Sequence, residues 1–257
     1  MIRRYRTTLF LLTALAFAFA LLPQTAFATD TPIPGIDISL GTSDEPGDAS
    51  STLSIVLLLT VLSLAPAILI MMTSFTRIVI VLGFVRTSLA TNQMPPNQVL
   101  IGLALFLTLF VMAPTFGEIN ERAVQPYLDG EMTQTEALQE ASLPLKKFMS
   151  SHTREKDLML FLEYGNMPRP ATYEDIPLTA LIPAFVISEL KTAFQMGFMI
   201  FIPFLVIDMV VSSTLMAMGM MMLPPVMISL PFKILLFVLV DGWYLVVKSL
   251  LLSFNTM

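Results

Sequence analysis

The sequence predicts an all-α protein: two long, kinked helical hairpins with a small helical region between them. Three observations lead there. Apolar runs occur in pairs joined by proline-bearing turns, and the polar stretch between the pairs carries a helix-start pattern, Thr133-x-x-Glu136. The second pair also holds Glu189, Lys191, Asp208, Lys233 and Asp241 within or at the ends of its apolar runs. An ionised group at a bilayer centre costs roughly 2.5–3.5 kcal/mol on insertion scales, so these helices are expected to be shielded by protein, as in a subunit of an assembly. Of 257 residues, 55% are hydrophobic and 13% charged, and mean hydropathy is +0.78, a membrane-associated balance. The absence of cysteine excludes disulfides and thiol chemistry. A single histidine, His152, speaks against a metal centre, and the net charge of -5 speaks against nucleic acid as a partner. No cofactor is expected.

In chain order, residues 1–28 read as a cleaved signal peptide: Arg3, Arg4 and Arg6, an apolar run over 9–22, then Ala26-Phe27-Ala28, with cleavage between Ala28 and Thr29. Removing the three arginines takes the formal charge from -5 to -8. Residues 29–52 carry five acids and no base, which describes an acidic, flexible, extracytoplasmic leader. Residues 53–116 form the first apolar hairpin, with a kink expected at Pro66, a turn over 91–97 and a return over 99–116. Arg77 and Arg86 mark its cytoplasmic side on the positive-inside bias.

Residues 117–178 are the polar region, with eleven acidic against six basic side chains. Thr133 and Glu136 open one helix there, and a second is expected over 153–164 with Gly165 as its stop. Parity of the spans places this region outside the cytoplasm. At about 60 residues it is too small for a large core of its own and should pack on its neighbours.

Residues 179–257 form the second hairpin, with apolar segments over 193–207 and 226–240 around a methionine-crowded turn. The turn carries Met216, Met218, Met220, Met221 and Met222, then Pro224 and Pro225. Flexible thioether side chains from several copies could close a pore and deform around a passing chain, although their commoner use is in a methionine-rich core or an ordinary membrane turn. A tip between Met220 and Met221 sets residues summing to 441 opposite each other, which puts Asp208 against Lys233. That pair either fixes the register of the hairpin or meets neighbouring subunits or water separately. Glu189 and Lys191 lie two apart, on different helical faces, so each is expected to meet another chain or to belong to an amphipathic stretch. Asp208 and Asp241 raise an intramembrane aspartyl protease, but no Gly-x-Gly-Asp occurs. Nor does a phosphate-binding Gly-x-x-x-x-Gly-Lys-[Ser/Thr] loop, a Gly-x-Ser-x-Gly or a His-Glu-x-x-His.

Longer strings point further. Residues 183–198 (PAFVISELKTAFQMGF) and 231–243 (PFKILLFVLVDGW), with MMMLPP over 220–225 between them, resemble the FliP family of flagellar type III export gate proteins. PLKKFM over 144–149 and TREKD over 153–157 share the likeness. The resemblance implies a non-enzymatic, pore-forming core subunit that passes unfolded flagellar subunits across the bacterial inner membrane, driven by the proton motive force and assisted by a separate ATPase. It implies several copies in a helical ring with FliQ and FliR, alongside FlhA and FlhB. That assembly would sit within the basal body, much of it above the membrane plane on the periplasmic side. Met218, Met220, Met221, Met222, Pro224 and Pro225 would then form the constriction, with Asp208 and Lys233 as buried structural charges and Glu189, Lys191 and Asp241 as inter-subunit or structural polar groups. Injectisome gate subunits are the nearest alternative, though typically shorter and without the signal peptide and acidic leader. A small-solute transporter is the other; it would favour internal repeats, and Pro95-Pro96 and Pro224-Pro225 share only an outline.

Overall fold

A computed structural model describes residues 56–255, apart from 57, 58, 61, 65, 69, 92, 93, 221 and 222. The chain divides into two units, Met1–Ser54 and Ile55–Met257, and every described residue belongs to the second. The signal peptide with its Ala28–Thr29 junction, the acidic leader, Met221 and Met222 therefore lie outside the described residues. Within them the chain is helical, with no strand.

The described residues between 56 and 71 are helical, Pro66 included, and the interruption falls at residues 72–74. Helix α1 (Phe75–Ser88) follows. Its Ile78, Val81, Leu82 and Val85, spaced three and four apart, are fully buried and contribute roughly 1.5–3 kcal/mol each. Helix α2 (Asn97–Ile119) runs past Phe116, the end of the apolar run, and continues through a π-helical turn (Asn120–Val124) into α3 (Gln125–Leu128).

Helix α4 (Gln134–His152) opens on a complete capping box: Glu136 N–H donates to the Thr133 hydroxyl, and the Thr133 N–H donates to the Glu136 carboxylate at 2.8 Å. Helix α5 (Glu155–Tyr164) has Glu155 and Asp157 in its first turn, where the helix dipole favours anions, and ends at Gly165.

Helix α6 (Leu178–Ala217) is 40 residues long, about 60 Å at 1.5 Å per residue, and contains Pro183 and Pro203. It ends in a left-handed Gly219 (φ 73°), with the Met220 N–H donating back to the Leu215 carbonyl at 3.0 Å. Helix α7 (Pro225–Leu239) starts on a proline that fits the first helical turn. An elbow at Asp241 then bends the chain by 62° into α8 (Gly242–Phe254).

The main core joins α1, α2, α6, α7 and α8 through the buried face of α1, Leu100, Ala104, Ala193, Phe204, Phe237, Val246 and Leu250. Gly197 allows α6 its close approach to α1, because a Cβ there would fall 2.3 Å from the Phe84 ring. A second cluster, Met72, Met149, Ile176, Leu181 and Phe185, seats α4 on the start of α6. The polar region thus shares its core with α6, in keeping with its size.

Candidate functional site

Two ion pairs sit inside apolar helix packing, nineteen residues apart on α6, about 28 Å along a straight helix. Glu189 takes the first. Arg77, in the first turn of α1, donates from Nε to Glu189 Oε2 at 2.8 Å, and its Nη2 pairs with Oε1. Arg77 Nη1 donates to the carbonyl and hydroxyl oxygens of Ser253 at 2.9 and 3.0 Å, and the Phe254 ring centre lies 4.0 Å from the guanidinium carbon. A planar fork with five donors suits this work, since it fills a carboxylate bidentately and still reaches two further oxygens. One side chain so ties α1, α6 and α8 together.

Arg77 is one of the two arginines that the positive-inside bias sets toward the cytoplasm. The side chain is buried, and a carboxylate with two serine oxygens replaces its water. Glu189, expected either to meet another chain or to belong to an amphipathic stretch, is paired within its own chain by Arg77. Arg86 is half-buried and its Nη1 pairs with Asn97 Oδ1 across the turn between α1 and α2.

Asp208 and Lys233 form the second pair, with Lys233 Nζ 2.6 Å from Asp208 Oδ2. Lys233 Nζ also donates to the Ser88 carbonyl at 3.3 Å, a last-turn oxygen of α1 where the helix dipole is negative. The Ser229 hydroxyl donates to the other Asp208 oxygen. Both carboxylate oxygens of Asp208 are thereby engaged, one by Ser229 and the other by Lys233.

Sequence reasoning missed a third group beside Glu189. The Ser188 hydroxyl donates to Asp157 Oδ2 at 2.6 Å and accepts the Arg154 N–H at 3.1 Å, while Arg154 Nη2 lies 2.8 Å from the same carboxylate oxygen. It fastens the start of α5 to α6. Its one sequence signal was the run of charges over 154–157 close to the predicted helix start.

The other predicted residues are not drawn into these clusters. Lys191 and Asp241 are exposed and make no ion pair among the described residues. Met216, Met218, Met220, Leu223 and Pro224 are exposed around the tip of the second hairpin, and Pro225 begins α7 half-buried. No group of three or more histidines and carboxylates stands together as a metal site among the described residues.

Outward, the helices present hydrocarbon: Phe106, Leu109 and Phe110 on α2, Phe194, Phe198 and Met199 on α6, Phe232, Leu235 and Val238 on α7. The stretch Asn97–Leu128 and α6 are each long and apolar enough to cross a membrane, and α7 with α8 make a third such length, bent at the elbow. Charges paired inward with apolar faces outward define a helical membrane protein.

The comparisons carry this to a family. The FliP family model matches residues 58–250, and the chain belongs to the FliP family. It is 69% identical over 217 residues to the flagellar biosynthetic protein FliP of Bacillus subtilis (strain 168), covering 84% of this chain and 98% of that one. The protein of that name from Caulobacter vibrioides is 53% identical over 93% of this chain and 88% of its own length. The one from Aquifex aeolicus is 48% identical over 87% and 92%.

Proposed function

We propose that this chain is a pore-forming core subunit of the flagellar type III protein export gate, passing unfolded flagellar subunits across the bacterial inner membrane. Several copies assemble with FliQ and FliR, next to FlhA and FlhB, and none performs catalysis. The observation that carries the reading is the division of charge in the second hairpin. Glu189, Asp208 and Lys233 have in-chain partners, while broad apolar faces of α6 and α7 remain exposed and suited to sister copies. Its exposed methionine tip, held by Gly219 and the double proline, is the constriction: unbranched thioethers close it at rest and yield to a passing chain. Family membership and the relatives' names support the flagellar assignment.

Replacing Met218 and residues 220–222 with glycine tests the constriction. Cells carrying the variant should become permeable to small ions at rest, because glycine cannot fill the opening. Unchanged conductance from a correctly assembled variant would exclude the methionine tip as the seal.

A further inference from the structure

We propose that Lys191 of one copy pairs with Asp241 of the next, so that the outer face of α6 docks on the α7–α8 elbow of a sister chain. The inference rests on the oligomeric reading above and adds the surfaces that meet. Helices α6 to α8 contain six charged side chains: Glu189, Lys191, Asp208, Lys233, Asp241 and Lys248. Glu189 is taken by Arg77, Asp208 and Lys233 by each other, and Lys248 Nζ sits 5.7 Å from the Tyr244 ring centre. Lys191, Asp241 and Lys248 are all exposed without an ion pair among the described residues, and of the two ammoniums Lys191 is the one with no aromatic ring against it there, which leaves it as the counterpart of the Asp241 carboxylate.

Both stand in apolar surroundings that make isolation costly. Ile187 and Phe194, one helical turn to either side of Lys191, are exposed, and so are Val238, Leu239, Tyr244 and Leu245 around Asp241. The two cannot meet across their own hairpin. The Asp208–Lys233 contact fixes the register, which sets Ile200 opposite Asp241, nine residues from Lys191 and about 13 Å along the helix. A neighbouring chain has the freedom of offset that the register denies.

The elbow also holds its carboxylate in a defined place. Asp241 has left-handed backbone angles (φ 50°, ψ 55°) that glycine adopts without strain, and its carbonyl accepts the Leu245 N–H at 3.1 Å. Gly242 follows where a Cβ would lie 2.3 Å from the Phe237 ring, so the bend is packed from within. An aspartate where glycine would be easier gives the elbow a fixed negative point on an apolar face.

The native chain has no cysteine, which makes the test direct. Two full-length versions with different tags, one Lys191→Cys and one Asp241→Cys, are co-expressed and oxidised in the membrane. A disulfide dimer carrying both tags should exceed, by at least tenfold, that from Lys248→Cys with Asp241→Cys or from two Lys191→Cys copies. Lys191→Glu should reduce the assembled fraction about tenfold, and Asp241→Lys in the same chain should restore it. Asp241→Asn, which suits the left-handed backbone, should match the loss seen in Lys191→Gln. Native mass of the unoxidised assembly separates the two levels. A full complement of copies without the Lys191–Asp241 cross-link, or with the Lys248 cross-link instead, overturns this docking and leaves the oligomer standing. A single copy overturns the oligomeric reading and the docking with it.

Discussion

At Glu189 both members of the ion pair are sealed, with side chains 4% exposed for Arg77 and 0% for the glutamate, whereas at Asp208 the lysine is sealed at 2% and its carboxylate stands 29% exposed. Donor geometry accounts for part of the contrast. Arginine can present its fork to a carboxylate and spare a nitrogen for Ser253, so a fully dry site is possible around it. Lysine is a compact charge with three donors, and it reaches Asp208 and the Ser88 carbonyl while the carboxylate keeps contact with the outside. The linkages differ as well. The dry cluster joins α1 to α6 and α8, elements of both hairpins; the open one sets the register of α6 against α7 and touches α1 through its last turn. Buried ion pairs are not stabilising by right, but removing one partner of a dry pair strands a charge.

The sharpest break is therefore expected at the sealed end. Glu189→Ala leaves the Arg77 guanidinium buried without its carboxylate and should lower stability by roughly 3–5 kcal/mol, seen as loss of folded, detergent-soluble full-length chain and a lower unfolding midpoint. Asp208→Ala should do less, about 1–3 kcal/mol, because water already reaches that carboxylate and can reach part of the stranded lysine. Equal losses at the two positions would erase the contrast. Adding Lys233→Ala to Asp208→Ala should recover part of the loss, since no charge is then left behind; a double variant worse than either single excludes coupling between them.

What could be read in advance follows the same division. Helix content and pairing were legible because apolar runs and proline-bearing turns are local properties. Asp208 and Lys233 could be set against each other from the position of the turn alone, because an antiparallel hairpin has a constant residue sum. Arg77 and Glu189 are 112 residues apart in different hairpins, and no local rule joins them. The available signal was an arginine isolated between apolar runs, and the positive-inside rule offered a simpler use for it. Two further features escaped for related reasons. The break at residues 72–74 has no proline to announce it, and the elbow at Asp241 uses an aspartate where a left-handed turn ordinarily advertises glycine.

The smallest effect belongs to the polar region, which lacks sealed charge of this kind and relies on exposed capping. Hydrogen bonds from the Thr133 backbone, and then its hydroxyl, hold the Glu136 carboxyl below its ordinary pKa. A carboxyl so lowered in the folded state adds stability that is complete above its unfolded pKa and disappears as pH falls through the lowered folded value. Thr133→Ala should shift the unfolding midpoint down by no more than a few degrees at neutral pH. That difference from the native chain should shrink in acid, and a difference that widens in acid would reverse the assigned sign.

The central claim is that in-chain ion pairs free the apolar faces of α6 and α7 to be covered by sister copies. Native mass measurement of the full-length chain, extracted in mild detergent with its co-expressed partners, tests it most directly. The account predicts particles containing several copies of this chain. Particles holding one copy, with detergent over Phe198, Phe232 and their neighbours, would contradict it.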